Sequence, residues 1–210
     1  MIRVLVADDH AVVRQGLKQI LGDAPGLMVA GEAVNGQEVL DKVRSEPWDV
    51  VVLDISMPDR SGLDVLKEIK SERPKLPVLI LSMYSEDQYA IRVLKAGAAG
   101  YLSKDGAADE LVKAIHQVVG GGRYVSPLLA ERLAFRIGAD SSGLPHETLS
   151  DREYQVLRRI AAGKSVTEIA AELSLSVKTI STYRGRILVK MNLRTSAELM
   201  HYAMQHDLID

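Results

Sequence analysis

Four short apolar runs in the first half of this chain each end on a polar residue, and that pattern leaves few folds open. Ile2-Arg3-Val4-Leu5-Val6-Ala7 leads into Asp8 and Asp9. Val50-Val51-Val52-Leu53 leads into Asp54, Val78-Leu79-Ile80-Leu81 into Ser82, and Ala99-Gly100-Tyr101-Leu102-Ser103 into Lys104. Such runs read as buried strands, and in open parallel sheets ligands bind at the carboxyl ends of the strands. Five polar side chains from four strand ends therefore meet in one cleft. Three carboxylates packed together repel unless a cation binds them, and oxygen-only ligation suits Mg²⁺. A hydroxyl and an ammonium facing the same spot suit an anion such as a phosphoryl group.

The runs are one half of an alternation. Strands are expected at 2–7, 28–34, 49–54, 78–82 and 99–103, and helices at about 11–22, 36–46, 62–72, 85–96 and 106–119. Alternating βα units imply a doubly wound (βα)5 parallel sheet with helices on both faces and right-handed crossovers. The second and fifth strands are the least apolar, which suits the sheet's edges. Gly120-Gly121-Gly122 closes the fifth helix and marks a boundary. The expected organisation is a first domain over 1–120, a linker over 121–147 holding a short helix at 126–137, and a second domain over 148–210.

Residues 150–208 carry no strand signal and read as four short helices, so the fold class is α/β plus all-α. Ser150-Asp151-Arg152-Glu153 and Ser165-Val166-Thr167-Glu168 are capping boxes, and Ser176 caps the next helix. Helices at 166–173 and 177–191, separated by three residues, form a helix-turn-helix candidate. On a helical wheel Ile180, Ile187 and Met191 form a buried stripe with Leu188 and Tyr183 beside it. The opposite side carries Ser181, Thr182, Gly185, Lys178, Val189 and Arg186. Ser181 and Thr182 can reach base edges, Gly185 permits close approach, and Lys178, Arg186, Lys190 and Arg194 suit phosphates or guanines. Thr179 joins this set, with Ser165, Thr167, Arg184 and Arg194 as secondary contacts. Arg184 falls on the buried side and must snorkel or pair internally.

Charge supports this division of labour. The net charge of −2 is the sum of −4 over residues 1–120 and +2 over 121–210, and residues 176–194 hold five basic residues and no acidic one. A local basic stretch on an acidic protein points to a polyanion partner for that stretch. There is no cysteine, which excludes disulfides and thiolate metal sites. The start MIRVLVADDH lacks the features of a signal peptide, and no apolar run approaches the ~20 residues that span a bilayer. A soluble cytoplasmic protein is the expectation. His10, His116, His146, His201 and His206 show no ligand spacing, and none is assigned to metal or catalysis.

Both halves resemble a known family. Asp8-Asp9, Asp54, Met57-Pro58-Asp59 with Gly62, Ser82, Ala96-Gly97-Ala98, Tyr101 and Lys104 resemble the signature of two-component receiver domains. Leu149-Ser150-Asp151-Arg152-Glu153, Ala162-Gly163-Lys164-Ser165, Glu168-Ile169-Ala170, Leu175-Ser176-Val177-Lys178-Thr179-Ile180 and Lys190-Met191 resemble the LuxR-type output domain of NarL/FixJ response regulators. The resemblance implies that Asp54 accepts a phosphoryl group from a sensor histidine kinase. It implies that Asp9, Asp54 and the backbone carbonyl of Ser56 ligate Mg²⁺ (or Mn²⁺), with Asp8 acting through water. Ser82 and Lys104 bind the phosphoryl oxygens, and Tyr101 is the switch residue that follows Ser82. Phosphorylation then releases helix 177–191 from a hidden position, and a homodimer reads double-stranded DNA to regulate transcription. The helix near 196–205, with Ala197, Leu199, Met200, Tyr202, Ala203 and Met204, is divided between core and dimer contact.

This chain departs from the pattern in four places. Asp105 stands where many receivers have proline, Ser82 where threonine is commoner, and Tyr183 where many LuxR-type helices have histidine. Tyr84 is the second residue beyond Ser82. Two other readings remain open on the residues alone. An aspartyl-phosphate phosphatase needs a second carboxylate two residues after the nucleophile, and that position is Ser56, which argues against enzymatic turnover. A phosphorylation-gated protein-interaction module would use 150–208 to bind a protein instead of DNA.

Overall fold

Val4–Ala7 and the whole of Val50–Asp54 and Val78–Ser82 are buried, as expected of strands covered on both faces. The structure is a computed structural model and describes residues 1–57, 59–83, 86–104, 107–127, 129–131, 144–206 and 208, with backbone alone for 86–88, 107–109, 147 and 151. It forms two compact units, Met1–Gly138 and Ala139–Asp210.

The first unit contains five strands, β1 (Ile2–Ala7), β2 (Leu27–Ala33), β3 (Val50–Asp54), β4 (Val78–Ser82) and β5 (Gly100–Ser103). Five helices intervene or follow: α1 (Ala11–Gly22), α2 (Gly36–Ser45), α3 (Gly62–Glu72), α4 (Glu86–Lys95) and α5 (Ala107–Val119). All strand pairs are parallel, in the order β2-β1-β3-β4-β5. Alternation along the strands splits the core in two. Val4, Val6, Val50, Val52, Leu79 and Leu81 pack with Leu17 and Leu21 of α1 and Leu111, Ile115 and Val118 of α5. Asn35 and Ser61 cap α2 and α3 by accepting from Glu38 N and Leu63 N.

The unit does not stop at the glycines. Tyr124 N donates to Ala99 O at 2.9 Å, Tyr101 N donates to Tyr124 O at 3.2 Å, and the Tyr124 ring is 7% exposed within the core. The expected linker over 121–147 is therefore corrected at its start: residues around 124 extend the edge beside β5. Ser126 Oγ accepts from Leu129 N, and Ala130 N donates to Ser126 O, a capped turn within the stretch where a short helix is expected. Residues 128 and 132–137 of the expected helix, the stretch 138–143, Tyr84 and Asp105 lie outside the described residues.

The second unit holds a 3-10 turn (Pro145–Thr148) and helices α6 (Asp151–Ala161), α7 (Val166–Glu172), α8 (Val177–Lys190) and α9 (Ser196–Gln205). Both expected capping boxes are present, Ser150 with Glu153 and Ser165 with Glu168. Ser176 accepts from Thr179 N at 3.0 Å. Each such cap stabilises its helix by about 1 kcal/mol. Val156, Leu157, Ile169, Ile180, Ile187, Leu199 and Ala203 are fully buried and form the centre of this unit.

Candidate functional site

β1, β3, β4 and β5 end side by side, which brings Asp8, Asp9, Asp54, Ser82 and Lys104 to the carboxyl edge of the sheet. Asp8 and Asp54 are each 1% exposed and Ser82 is fully buried. Lys104 Nζ lies 2.6 Å from Asp8 Oδ2 and 2.9 Å from Asp54 Oδ2. One ammonium thus stands against two buried carboxylates, with Asp9 half-buried beside them. Burial pushes the Asp54 carboxyl above its ordinary pKa and Asp8 adds to this, against the pull of Lys104 and the Ser56 amide. Burial opposes the Lys104 charge, but Asp54 and Asp8 outweigh it and hold the ammonium above its usual value.

Asp54 Oδ1 is buried and receives no hydrogen bond, and neither does Asp9 Oδ1. Ligand atoms from Asp8, Asp9, His10 and Asp54 all lie within 4.8 Å of one another. A divalent cation fits this donor set, because it supplies the charge that these oxygens lack. Backbone geometry holds the pocket in place. Asp8 Oδ1 accepts from His10 N at 2.8 Å, and Asp8 O accepts from Arg14 Nη1 at 2.7 Å. Gly62 packs so closely under β3 that a Cβ there would fall 2.2 Å from Asp54 O. Asp59 stays outside the pocket: its carboxylate accepts from Gly36 N at 2.8 Å and Gln37 N at 3.0 Å, at the start of α2. Burial works against the Asp59 charge, but these amides outweigh it and keep its pKa low. Tyr101 is fully buried.

On α8 the wheel holds. Ile180 and Ile187 are fully buried and Met191 is 5% exposed, while Lys178, Ser181, Thr182, Gly185 and Arg186 are exposed. Open space surrounds Gly185. Thr182 Oγ1 donates to Lys178 O, and Thr179 Oγ1 is 2.8 Å from Ser176 Oγ. Arg184 pairs internally, as its wheel position requires, with Nε donating to Ser196 Oγ at 2.7 Å. The Lys190 ammonium lies 2.7 Å from Glu153 Oε2, the buried carboxylate of the first capping box, while its side chain stays 41% exposed. Ser165 uses its hydroxyl in the second box, whereas Thr167 and Arg194 are exposed.

Two family models match in order along the chain. One, described as the response regulator receiver domain, covers residues 4–116. The other, described as bacterial regulatory proteins of the luxR family, covers residues 147–203. Response regulator GacA of Pseudomonas protegens is 40% identical over 210 residues, spanning 100% of this chain and 99% of that protein. The chain is a NarL/FixJ-family response regulator. Response regulator UvrY of Escherichia coli K12 is 39% identical over 209 residues, spanning 99% and 96% of the two chains. Among solved structures, RcsB from Salmonella enterica serovar Typhimurium, bound to promoter rprA with the phosphomimetic BeF3⁻, is 29% identical. It gives a TM-score of 0.64 over 96% of this chain and 98% of that one. The response regulator is thus a DNA-binding transcription regulator, built from a receiver domain and a LuxR-type helix-turn-helix domain.

Sequence reasoning about this response regulator missed two pocket neighbours and one pairing. Arg14 is one helical turn into α1, and only the turn between β1 and α1 swings it back onto Asp8 O. His10 has no ligand spacing to another histidine, yet its Nδ1 lies 2.8 Å from Asp9 Oδ1. Its direct succession to Asp8-Asp9 was the available signal. The Glu153–Lys190 pair joins residues 37 apart, and no local pattern reports it.

Proposed function

We propose that a sensor histidine kinase phosphorylates this regulator on Asp54, and that the phosphorylated form binds double-stranded DNA as a homodimer and regulates transcription from it. One observation carries the reading: Asp54 is buried with one oxygen held by Lys104 and the other, Oδ1, free of any donor. Oδ1 is the nucleophile. It forms a bond to phosphorus as the bond from phosphorus to the donor's imidazole nitrogen breaks and the imidazole leaves. Lys104 offsets the charge gathered on the transferring oxygens, and the Ser82 hydroxyl is placed at the end of the adjacent strand to donate to one of them. Asp9 and Asp54, with the Ser56 carbonyl, would hold Mg²⁺ or Mn²⁺, with Asp8 acting through water; such an ion would supply positive charge between the phosphoryl oxygens and the carboxylates.

The chemistry stops at that acceptor. Ser56 stands two residues after Asp54, where a turning-over phosphatase needs a second carboxylate, so the protein is not an enzyme in the sense of multiple turnover. The phosphoryl group adds strong acceptors at Asp54 and shifts the population toward a state in which Ser82 and Tyr101 are rearranged. On α9, Leu199 and Ala203 are buried, while Met204 is 62% exposed and Ala197 is exposed, which leaves the latter two for a dimer contact. Lys178, Ser181, Thr182, Gly185 and Arg186 read the major groove of each half-site. No described helix is long and apolar enough to cross a membrane, and a double-stranded DNA partner supports a cytoplasmic location.

Genome-wide footprinting with and without acetyl phosphate tests the reading. Protected sites with two-fold symmetry are expected with the donor and Mg²⁺, and are expected to fade for Asp54→Ala. Equal protection by the two proteins would contradict it.

A further inference from the structure

His10 takes no part in the chemistry above, yet it borders the pocket. Its Nδ1 lies 2.8 Å from Asp9 Oδ1 and 3.3 Å from Asp8 Oδ1. The longer contact, to Asp8 Oδ1, is a hydrogen bond, whereas the shorter one, to Asp9 Oδ1, does not meet hydrogen-bond geometry. The nitrogen and oxygen sit side by side. Adjacent donors of an octahedral ion with bonds of about 2.1 Å are about 3.0 Å apart, and the two contacts bracket that spacing. Lys104 already occupies Asp8 Oδ2 and Asp54 Oδ2. Asp8 Oδ2, Asp9 Oδ1 and Asp54 Oδ1 are buried and receive no hydrogen bond, and of these only Asp8 Oδ2 has the Lys104 ammonium against it, as an ion pair. Ligand atoms of Asp9, Asp54 and the imidazole lie within 4.8 Å of one another, close enough to share one ion.

We propose that His10 is a metal ligand and that it makes the receiver pocket a mixed imidazole–carboxylate site which takes Zn²⁺ in preference to Mg²⁺. This rests on the reading of Asp8, Asp9 and Asp54 as a divalent-cation pocket. Carboxylates alone suit hard ions such as Mg²⁺, whereas an imidazole adds affinity for Zn²⁺ and its neighbours in the transition series. The His10 side chain is 65% exposed, so its ring can turn onto an incoming ion without disturbing the core. Its backbone is fixed, because His10 N donates to Asp8 Oδ1 at 2.8 Å. Zn²⁺ held in this way withholds the pocket from Mg²⁺ and makes phosphoryl transfer sensitive to the zinc supply.

The test uses the full chain, stripped of metal, with isothermal titration of ZnCl2 and MgCl2 into wild type, His10→Ala and Asp54→Asn. Zn²⁺ bound at other histidines survives in Asp54→Asn and is subtracted as background. Wild type is expected to bind Zn²⁺ at this site at least about tenfold more tightly than Mg²⁺. His10→Ala is expected to lose about tenfold or more in Zn²⁺ affinity and less than about threefold in Mg²⁺ affinity. Pulsed electron paramagnetic resonance of the Mn²⁺-loaded protein is expected to show nitrogen modulation in wild type and none in His10→Ala. An unchanged Zn²⁺ affinity, or the absence of nitrogen modulation in wild type, overturns the assignment of His10 while leaving the Mg²⁺ pocket intact. Identical Mg²⁺ and Zn²⁺ binding by Asp54→Asn and wild type overturns the pocket itself.

Discussion

Asp54→Asn removes one charge from a pocket that sets one buried ammonium against two buried carboxylates and a half-buried third. The Asp54 carboxyl is 1% exposed and its Oδ1 has no donor. Its pKa is raised, chiefly by burial and then by Asp8, despite Lys104 and the Ser56 amide. An acid whose pKa is higher folded than unfolded binds its proton more tightly in the folded state. Folding is therefore most favoured below the unfolded pKa, and stability falls as pH rises from there through the folded pKa. At neutral pH the ionised Asp54 is a net cost to the fold. Asparagine keeps the shape and removes the charge. An incompletely satisfied buried polar group costs about 1–3 kcal/mol, and more when charged, so the variant gains on the order of 1–3 kcal/mol. For a unit of this size each kcal/mol moves the midpoint by roughly 4 °C, giving an increase of about 4–12 °C. Scanning calorimetry of the full chain in EDTA at pH 7 reads this directly: the receiver transition rises and the helical unit's transition stays in place. A ligand at one hundred times its Kd adds about 2.7 kcal/mol, so saturating Mg²⁺ raises wild type and closes the gap. A receiver midpoint equal to or below that of wild type in EDTA would refute the reasoning, because it would mean that Lys104 already neutralises the pocket.

Gly62→Ala drives a Cβ to within 2.2 Å of the Asp54 carbonyl oxygen, and urea unfolding is expected to show a loss of about 2 kcal/mol or more; an unchanged midpoint would show that β3 yields there. Glu153→Gln removes the counter-charge of Lys190 and weakens the cap at Ser150, lowering the helical unit's stability by about 1–2 kcal/mol. Burial raises the Glu153 pKa, but Lys190 and Ser150 outweigh it and the net shift is downward. Its contribution is therefore complete above the ordinary carboxylate range and lost as pH falls through the folded pKa, so the stability difference between wild type and Glu153→Gln shrinks in acid; a constant difference would count against the pair. Lys178→Ala and Arg186→Ala are each expected to reduce the salt slope of DNA binding by about 1. Arg184→Ala, whose guanidinium is tied to Ser196, leaves that slope in place; equal slopes for all three variants would remove the assigned face.

The parts of this molecule written in local pattern were legible, and those written in tertiary contact were not. β1, β3 and β4 are buried along continuous apolar runs, so their ends and the residues on them followed from the sequence, as did the edge positions of β2 and β5. The caps at Ser150, Ser165 and Ser176 needed only residues within one helical turn. The buried stripe Ile180, Ile187 and Met191 followed from the helical period. Tyr124 did not, because a lone aromatic after three glycines has no period and joins the sheet through main-chain bonds to Ala99 and Tyr101. The pattern of its own helix gives Lys190 as a phosphate contact but cannot report its pairing with Glu153 of α6, 37 residues away. Asp59 was noticed by resemblance, but its work as a cap for α2, more than twenty residues earlier, depends on how α2 and α3 lie together. His10 belongs to the pocket through the turn between β1 and α1, which spacing between histidines cannot report.

The central claim is that one buried carboxylate accepts phosphate from a high-energy donor with the help of a divalent cation. Intact mass spectrometry after incubation with acetyl phosphate and Mg²⁺, followed by peptide mapping, reads it most directly. The account predicts a gain of one phosphoryl mass, located on Asp54 and absent both in EDTA and in Asp54→Asn. No gain, or a gain on another residue, would contradict it.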